Sequence, residues 1–198
     1  MSGGYTDVLR VPGALRVFLP ALAGRMSFAM VTLSLLYSVE GATHGFAAAG
    51  AATGAFGLAN VVASPYRARY VDRFGQRRAL NTLAATYAVG LVVLALLTGT
   101  RGTPAWTLIG MSALVGIVPP PLGAAMRVLW SSLTQAGPLR ARAYSVDAVS
   151  EELLFTTGPL LTALLIAVAS PPIGLLATAA LALVGTLGTA VGFVDQDR

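Results

Sequence analysis

The stretch Arg67-Ala68-Arg69-Tyr70-Val71-Asp72-Arg73-Phe74-Gly75-Gln76-Arg77-Arg78 decides how this chain is to be read. It gathers five of the thirteen arginines, with one aspartate, between two long apolar runs. A charged turn so placed is excluded from hydrocarbon, so it marks a short loop on one face of a bilayer. Its excess of arginine assigns that face to the cytoplasm.

Composition agrees. The chain is 56% hydrophobic and 11% charged, with a mean hydropathy of +0.75. A water-exposed surface needs about 25% charged residues, so the class is a polytopic membrane protein. A net charge of +5 and a pI near 10.2 do not indicate a nucleic-acid partner. The arginines lie between apolar runs and form no groove-sized patch. The chain has neither lysine nor cysteine, which excludes disulfides and thiolate metal sites. Residues 1–11 contain no apolar core ending in a small-residue cleavage site, so no removable signal is expected.

Six apolar segments lie near the ~20 residues a helix needs to cross a bilayer: 17–39, 46–64, 79–99, 105–126, 153–169 and 173–194. No segment alternates apolar and polar residues as a membrane barrel strand would, so the expected fold is an all-α bundle of six transmembrane helices. Arg10, Arg16, the central cluster, Arg127, Arg140, Arg142 and Arg198 fall on one side, and Arg101 alone on the other. Both termini are therefore expected in the cytoplasm, with the chain multi-pass in the plasma membrane. The turns at residues 40–44, near Arg101 and at 170–172 are short, so successive helices pair as hairpins. The one loop of any size is expected at 131–150. It divides the chain into three-helix blocks, about 1–104 and 105–198, read as a 3+3 repeat.

Ala68, Asp72, Arg73, Gly75, Arg77 and Arg78 stand at the spacing Gly-x-x-x-Asp-Arg-x-Gly-x-Arg/Lys-Arg/Lys, with alanine in the first position. This resembles the loop between the second and third helices of major facilitator superfamily transporters. The chain is similar to the N-terminal six-helix half of that family, whose members usually have about twelve spans. The resemblance implies that the loop cluster latches the cytoplasmic side of the transporter; the alternative is that Arg73, Arg77 and Arg78 set topology and bind anionic lipid headgroups. Gly158-Pro159 is similar to the Gly-Pro of the family's antiporter motif, although Leu154, Thr162 and Ala163 replace its other glycines. Arg127 resembles in placement a basic residue on the fourth helix of proton-coupled members.

Residues inside the spans suggest a site. Arg25 lies about 12 Å into the first helix, where an arginine costs on the order of 2.5–3.5 kcal/mol. It therefore needs a wet cavity or a carboxylate. Glu152 and Glu151 are the candidates, and an Arg25–Glu152 pair sensitive to protonation is expected; the alternative is that Arg25 snorkels and Glu152 caps its helix. Pro119, Pro120 and Pro121, followed by Gly123, remove three backbone donors and interrupt the fourth helix. Such a break is tolerated where protein or cavity water satisfies the freed carbonyls, so the run is expected to line a cavity; the alternative is a packing kink or a helix that starts again after the prolines. Trp130 is expected at the cytoplasmic interface. Gly50, Gly54 and Gly57 make a small-residue face on the second helix. The family resemblance implies that this face, with Gly158 and Pro159 on the fifth helix, packs helices or meets another bundle; the alternative is packing within one bundle. Asn60 and Thr53 supply hydrogen bonds nearby, and His44 reads as a solvated turn residue. Nothing resembles a nucleophile–base pair, a phosphate loop or a metal-ligand cluster, so neither enzymatic chemistry nor a cofactor is expected.

The resulting expectation is a secondary transporter of a small solute, in contact with lipid, solute and protons but not nucleic acid. In one reading it is a half-size unit forming a homodimer, with efflux by proton exchange. The alternatives are the N-terminal half of a twelve-helix transporter and a membrane interaction protein that does not transport.

Overall fold

The computed structural model describes residues 6–194, with side chains over 8–190. Arg198 and the other residues of 195–198 lie outside that range, as does the side chain of Asp7. The described residues form helices only: α1 (Thr6–Leu9), α2 (Ala14–Thr43), α3 (Phe46–Phe74), α4 (Gln76–Gly99), α5 (Ala105–Ile117), α6 (Leu122–Leu133), α7 (Pro138–Val168) and α8 (Pro171–Val194). Six spans long and apolar enough to cross a membrane result, with α5 and α6 as the two halves of the fourth.

One helix starts far from where apolarity alone places it. The fifth span was expected from 153 after a loop at 131–150; instead α7 begins at Pro138, and only 134–137 separate it from α6. Pro138 is pre-organised for a helix N-terminus. Arg140 donates from Nε and Nη2 to the carbonyls of Thr134 and Ser131, satisfying the end of α6. The polar residues of 140–152 therefore lie on the first turns of a 31-residue helix. At 1.5 Å per residue α7 is about 46 Å long, against a hydrocarbon core of ~30 Å. Its polar end lies where hydropathy is uninformative.

α2 is the axle of the bundle. It packs along α8 and α7, α4 packs on α8, and α3 packs on α5. The α2–α8 crossing is set by glycine: a Cβ on Gly185 would overlap the backbone of Gly24 and stand 2.7 Å from the Pro20 carbonyl, and one on Gly188 would stand 2.7 Å from the Pro20 ring. Gly158 does the same for α7, where a Cβ would stand 2.6 Å from the Ala29 Cβ. Small residues thus bring backbones together inside the bundle, where burial of apolar area no longer drives association. Gly158 is part of this internal packing rather than of an outward face.

The main core joins Leu35, Tyr87, Leu91, Leu94, Leu108 and Leu175. A second cluster at the other end gathers Phe18, Met126, Leu129 and Trp130. Trp130, expected at the interface, is fully buried there and meets the Phe18 ring edge-on at 5.5 Å. Because α6 continues past 126 to Leu133, the indole faces α2 instead of the headgroups.

Burial is uneven among the spans. The most apolar window is 50% buried in the first, third and sixth spans, but only 22% in the second and 11% in the fifth. α3 and α7 thus present long unpartnered faces, with Leu58, Val61, Val62, Leu160, Leu164 and Val168 exposed.

Candidate functional site at the broken fourth span

The proline run ends α5 at Ile117 and lets α6 start at Leu122. In a continuous helix the amides of residues 119, 120 and 121 would bond the carbonyls of residues 115, 116 and 117. Proline has no N–H to give. The Val115 carbonyl is taken by Val118 N–H at 3.3 Å, which leaves those of Gly116 and Ile117. Both are claimed by Arg67: its Nη1 donates to Ile117 O at 3.0 Å and to Gly116 O at 3.4 Å. Its Nη2 donates to Asn60 Oδ1 at 2.8 Å and to Asn60 O at 3.1 Å. A guanidinium on α3 therefore supplies the donors the prolines remove. α3 and α5 can lie close enough for this because Gly116 has no side chain; a Cβ there would overlap the Phe56 backbone.

Arg25 lies on the other side of the break. It is buried, and its carboxylate partners are Asp147 and Glu151 rather than Glu152. Nη1 donates to Asp147 Oδ1 at 2.7 Å, and Nη2 lies 2.7 Å from Glu151 Oε2. The expected Arg25–Glu152 pair does not form, because α7 starts early. Residues 147 and 151 are one helical repeat apart and share a face, whereas Glu152 is turned about 100° away and is exposed. The two partners differ in kind. Asp147 is 5% exposed and takes a directed hydrogen bond, while the Glu151 side chain is 35% exposed and makes a charge contact without hydrogen-bond geometry.

A cavity of about 200 Å³ opens between these two arginines. Its walls include Arg25, Arg67, Asn60, Tyr87, Glu151 and the prolines 119–121, with Phe28 and Phe155 as an apolar side. The two rings meet edge-on at 6.3 Å. The Nε atoms of Arg25 and Arg67 and the Tyr87 hydroxyl are buried without hydrogen-bond partners. Behind Glu151, a second opening of about 400 Å³ is bounded by Arg127, Tyr144, Asp147 and Glu151. Arg127 itself is exposed. The structure thus brings Arg25, Glu151, Pro119, Pro120, Pro121 and Gly123 to one place, with Arg127 one step outside.

The charged turn is separate. α3 and α4 are joined by Gly75 alone, at φ 80° and ψ 148°. Nothing lies within 4 Å of where its Cβ would be, so backbone conformation rather than space calls for glycine. Ala68, Asp72, Arg73, Arg77 and Arg78 are exposed. Arg73 lies 5.5 Å from the Phe74 ring centroid. Among the described residues, Asp72, Arg77 and Arg78 make no side-chain ion pair. Ala68 and Asp72 border a groove of about 180 Å³ against α6. Gly50, Gly54 and Gly57 face open space, and Pro159 is half-buried.

Arg67, Asp147 and Tyr87 were not singled out from sequence. A signal existed for Asp147: a Gly-Pro helix start at 137–138 places Asp147 and Glu151 four apart on one face. None existed for Tyr87, which reads as an ordinary core aromatic. Comparison with curated proteins and with solved structures returned no match. The family model described as Major Facilitator Superfamily matches residues 17–198. With six membrane-spanning helices, the charged turn between the second and third, and nearly the whole chain matched, this protein belongs to the Major Facilitator Superfamily, a family of membrane transporters.

Proposed function

We propose that this chain is a half-size, proton-coupled transporter of a small solute, working as a homodimer around the cavity between Arg25 and Arg67. The observation that carries the reading is a buried arginine held by one sheltered and one half-exposed carboxylate, on the wall of a cavity of about 200 Å³ at a broken helix. Intramembrane charges of this kind mark ion and substrate pathways, and discontinuous helices line transport sites. Glu151 is the member free to exchange its contact for a proton.

Alternating access requires two bodies around one site. The unpartnered faces of α3 and α7, including Gly50, Gly54 and Gly57, and the charged turn with its unpaired Asp72, Arg77 and Arg78 support a second bundle. Two copies in one orientation, related by an axis along the membrane normal, would supply it. In this reading the turn faces the cytoplasm of the plasma membrane, as do both termini, and acts as the latch. The 3+3 reading is supported by the packing: exchanging the first span with the fourth and the second with the fifth turns the α3–α5 contact into the α7–α2 contact.

The coupling mode follows from the charge of the solute. A cation competes with the proton for Glu151, which gives the exchange that efflux uses. An anion competes with Glu151 for Arg25, which gives co-transport. Reconstitution into liposomes with an imposed proton gradient tests the reading: solute flux that depends on the gradient and is lost in Glu151→Gln supports it, and gradient-independent flux overturns it. A monomeric mass in nanodiscs would point instead to a missing C-terminal half as the second body.

A further inference from the structure

We infer that the cavity binds a small organic carboxylate, a substrate class that rests on the transporter reading above. Residues on its wall carry buried donors without hydrogen-bond partners: Nε of Arg25, Nε of Arg67 and the hydroxyl of Tyr87, which can also accept. Arg25 and Arg67 are more than nine-tenths buried, and Tyr87 is 1% exposed. A buried donor without an acceptor is unfavourable, so three such donors around one cavity favour a ligand that brings acceptor oxygens. A cation would leave both guanidinium Nε groups unsatisfied and would meet like charge from the two arginines.

Two further observations point the same way. The 12-residue helix α6 begins at the cavity, and its first residues line it. The positive end of its dipole therefore faces the same space, as half-helix N-termini face anionic groups in other transporters. The opposite wall is the Phe28–Phe155 pair, which suits an apolar body and disfavours an inorganic anion. At about 200 Å³ the space is below the usual range of drug-sized pockets and holds a solute of roughly the size of benzoate.

The carboxylate enters by taking Arg25 from Glu151. Asp147 keeps its directed hydrogen bond to Nη1, and the weaker charge contact is the one replaced. Glu151 is then left facing Asp147 and Tyr144 on its own helix, Arg127 on α6, and Arg67 and Tyr87 across the cavity. With its closest positive partner engaged elsewhere and Asp147 one turn away, it takes up a proton from the side of the second opening. One anion and one proton bind together, which makes the transport step co-transport.

The test is calorimetric titration of the purified full chain in nanodiscs with benzoate, inorganic phosphate and tetramethylammonium between pH 5.5 and 8. Benzoate stays ionised over this range, as free carboxylates titrate near about 4. The expected result is benzoate binding that tightens up to tenfold per unit fall in pH, with one proton taken up per anion. Glu151→Gln should bind benzoate with that pH dependence abolished. The paired change Arg25→Gln with Asp147→Asn, which removes both members of the buried ion pair together, should weaken binding at least tenfold. Tetramethylammonium or phosphate binding in place of benzoate, or unaltered pH dependence in Glu151→Gln, overturns the inference. Liposome flux separates the two proposals. Gradient-driven flux of a cation with no benzoate binding sinks the substrate class and leaves the transporter reading standing; benzoate binding without any flux does the reverse.

Discussion

Replacing Arg67 by methionine removes the donors that serve the two carbonyls orphaned by the prolines. Each buried acceptor left without a partner costs about 1–3 kcal/mol, so two would cost about 2–6 kcal/mol. Two facts place the outcome in the lower half of that range. The Gly116 contact is long, at 3.4 Å, and the adjoining cavity admits water to the break. Interhelical hydrogen bonds in membranes also average only about 0.6 kcal/mol in double-mutant cycles. The expected destabilisation is therefore about 2–3 kcal/mol, measured by reversible unfolding in mixed detergent–denaturant micelles. The decisive arm is the background in which Pro119, Pro120 and Pro121 are all alanine. There α5 and α6 can join, the helix supplies its own N–H groups, and Arg67→Met should cost less than about 1 kcal/mol. The difference between backgrounds is the coupling energy of guanidinium and break. An equal cost in both would show that Arg67 stabilises the fold by packing and that the carbonyls are satisfied some other way.

Further outcomes follow from the same geometry. Asp147→Asn leaves Arg25 buried without its sheltered partner and should cost about 3–5 kcal/mol, whereas Glu151→Gln, at a half-exposed contact, should cost about 1 kcal/mol or less; comparing their unfolding midpoints checks the order. Gly185→Leu drives a side chain into the Gly24 backbone and should abolish monodisperse folded protein in size-exclusion chromatography. Gly54→Ala faces open space within one bundle and should leave unfolding within about 0.5 kcal/mol of the parent, while weakening self-association if that face meets a second copy. Gly75→Ala imposes a conformation that side chains avoid and should destabilise the α3–α4 turn by about 1–3 kcal/mol, read by hydrogen exchange at residues 71–79.

Six spans, the helical class and the charged turn were all legible in the sequence, because each rests on composition over ~20 residues or on a fixed local spacing. Hydrocarbon leaves a polypeptide few ways to satisfy its backbone, so an apolar run of that length is nearly a structural statement by itself. The break at the prolines was legible for the same local reason: a missing N–H is visible in one letter. Partnerships were not. Arg25 could be identified as needing a carboxylate, but the choice of Asp147 and Glu151 over Glu152 turned on where α7 starts and hence which side of it faces α2. Arg67 looked like one more charge of the cytoplasmic turn. Only the approach of α3 to α5, allowed by Gly116, carries its guanidinium to carbonyls some fifty residues away. Trp130 likewise read as an interfacial anchor until the length of α6 turned it onto Phe18. Sequence fixes what each segment must bury or satisfy; which segment answers that need is settled when the helices pack, because their rotation and depth are set by close contacts between residues far apart in the chain.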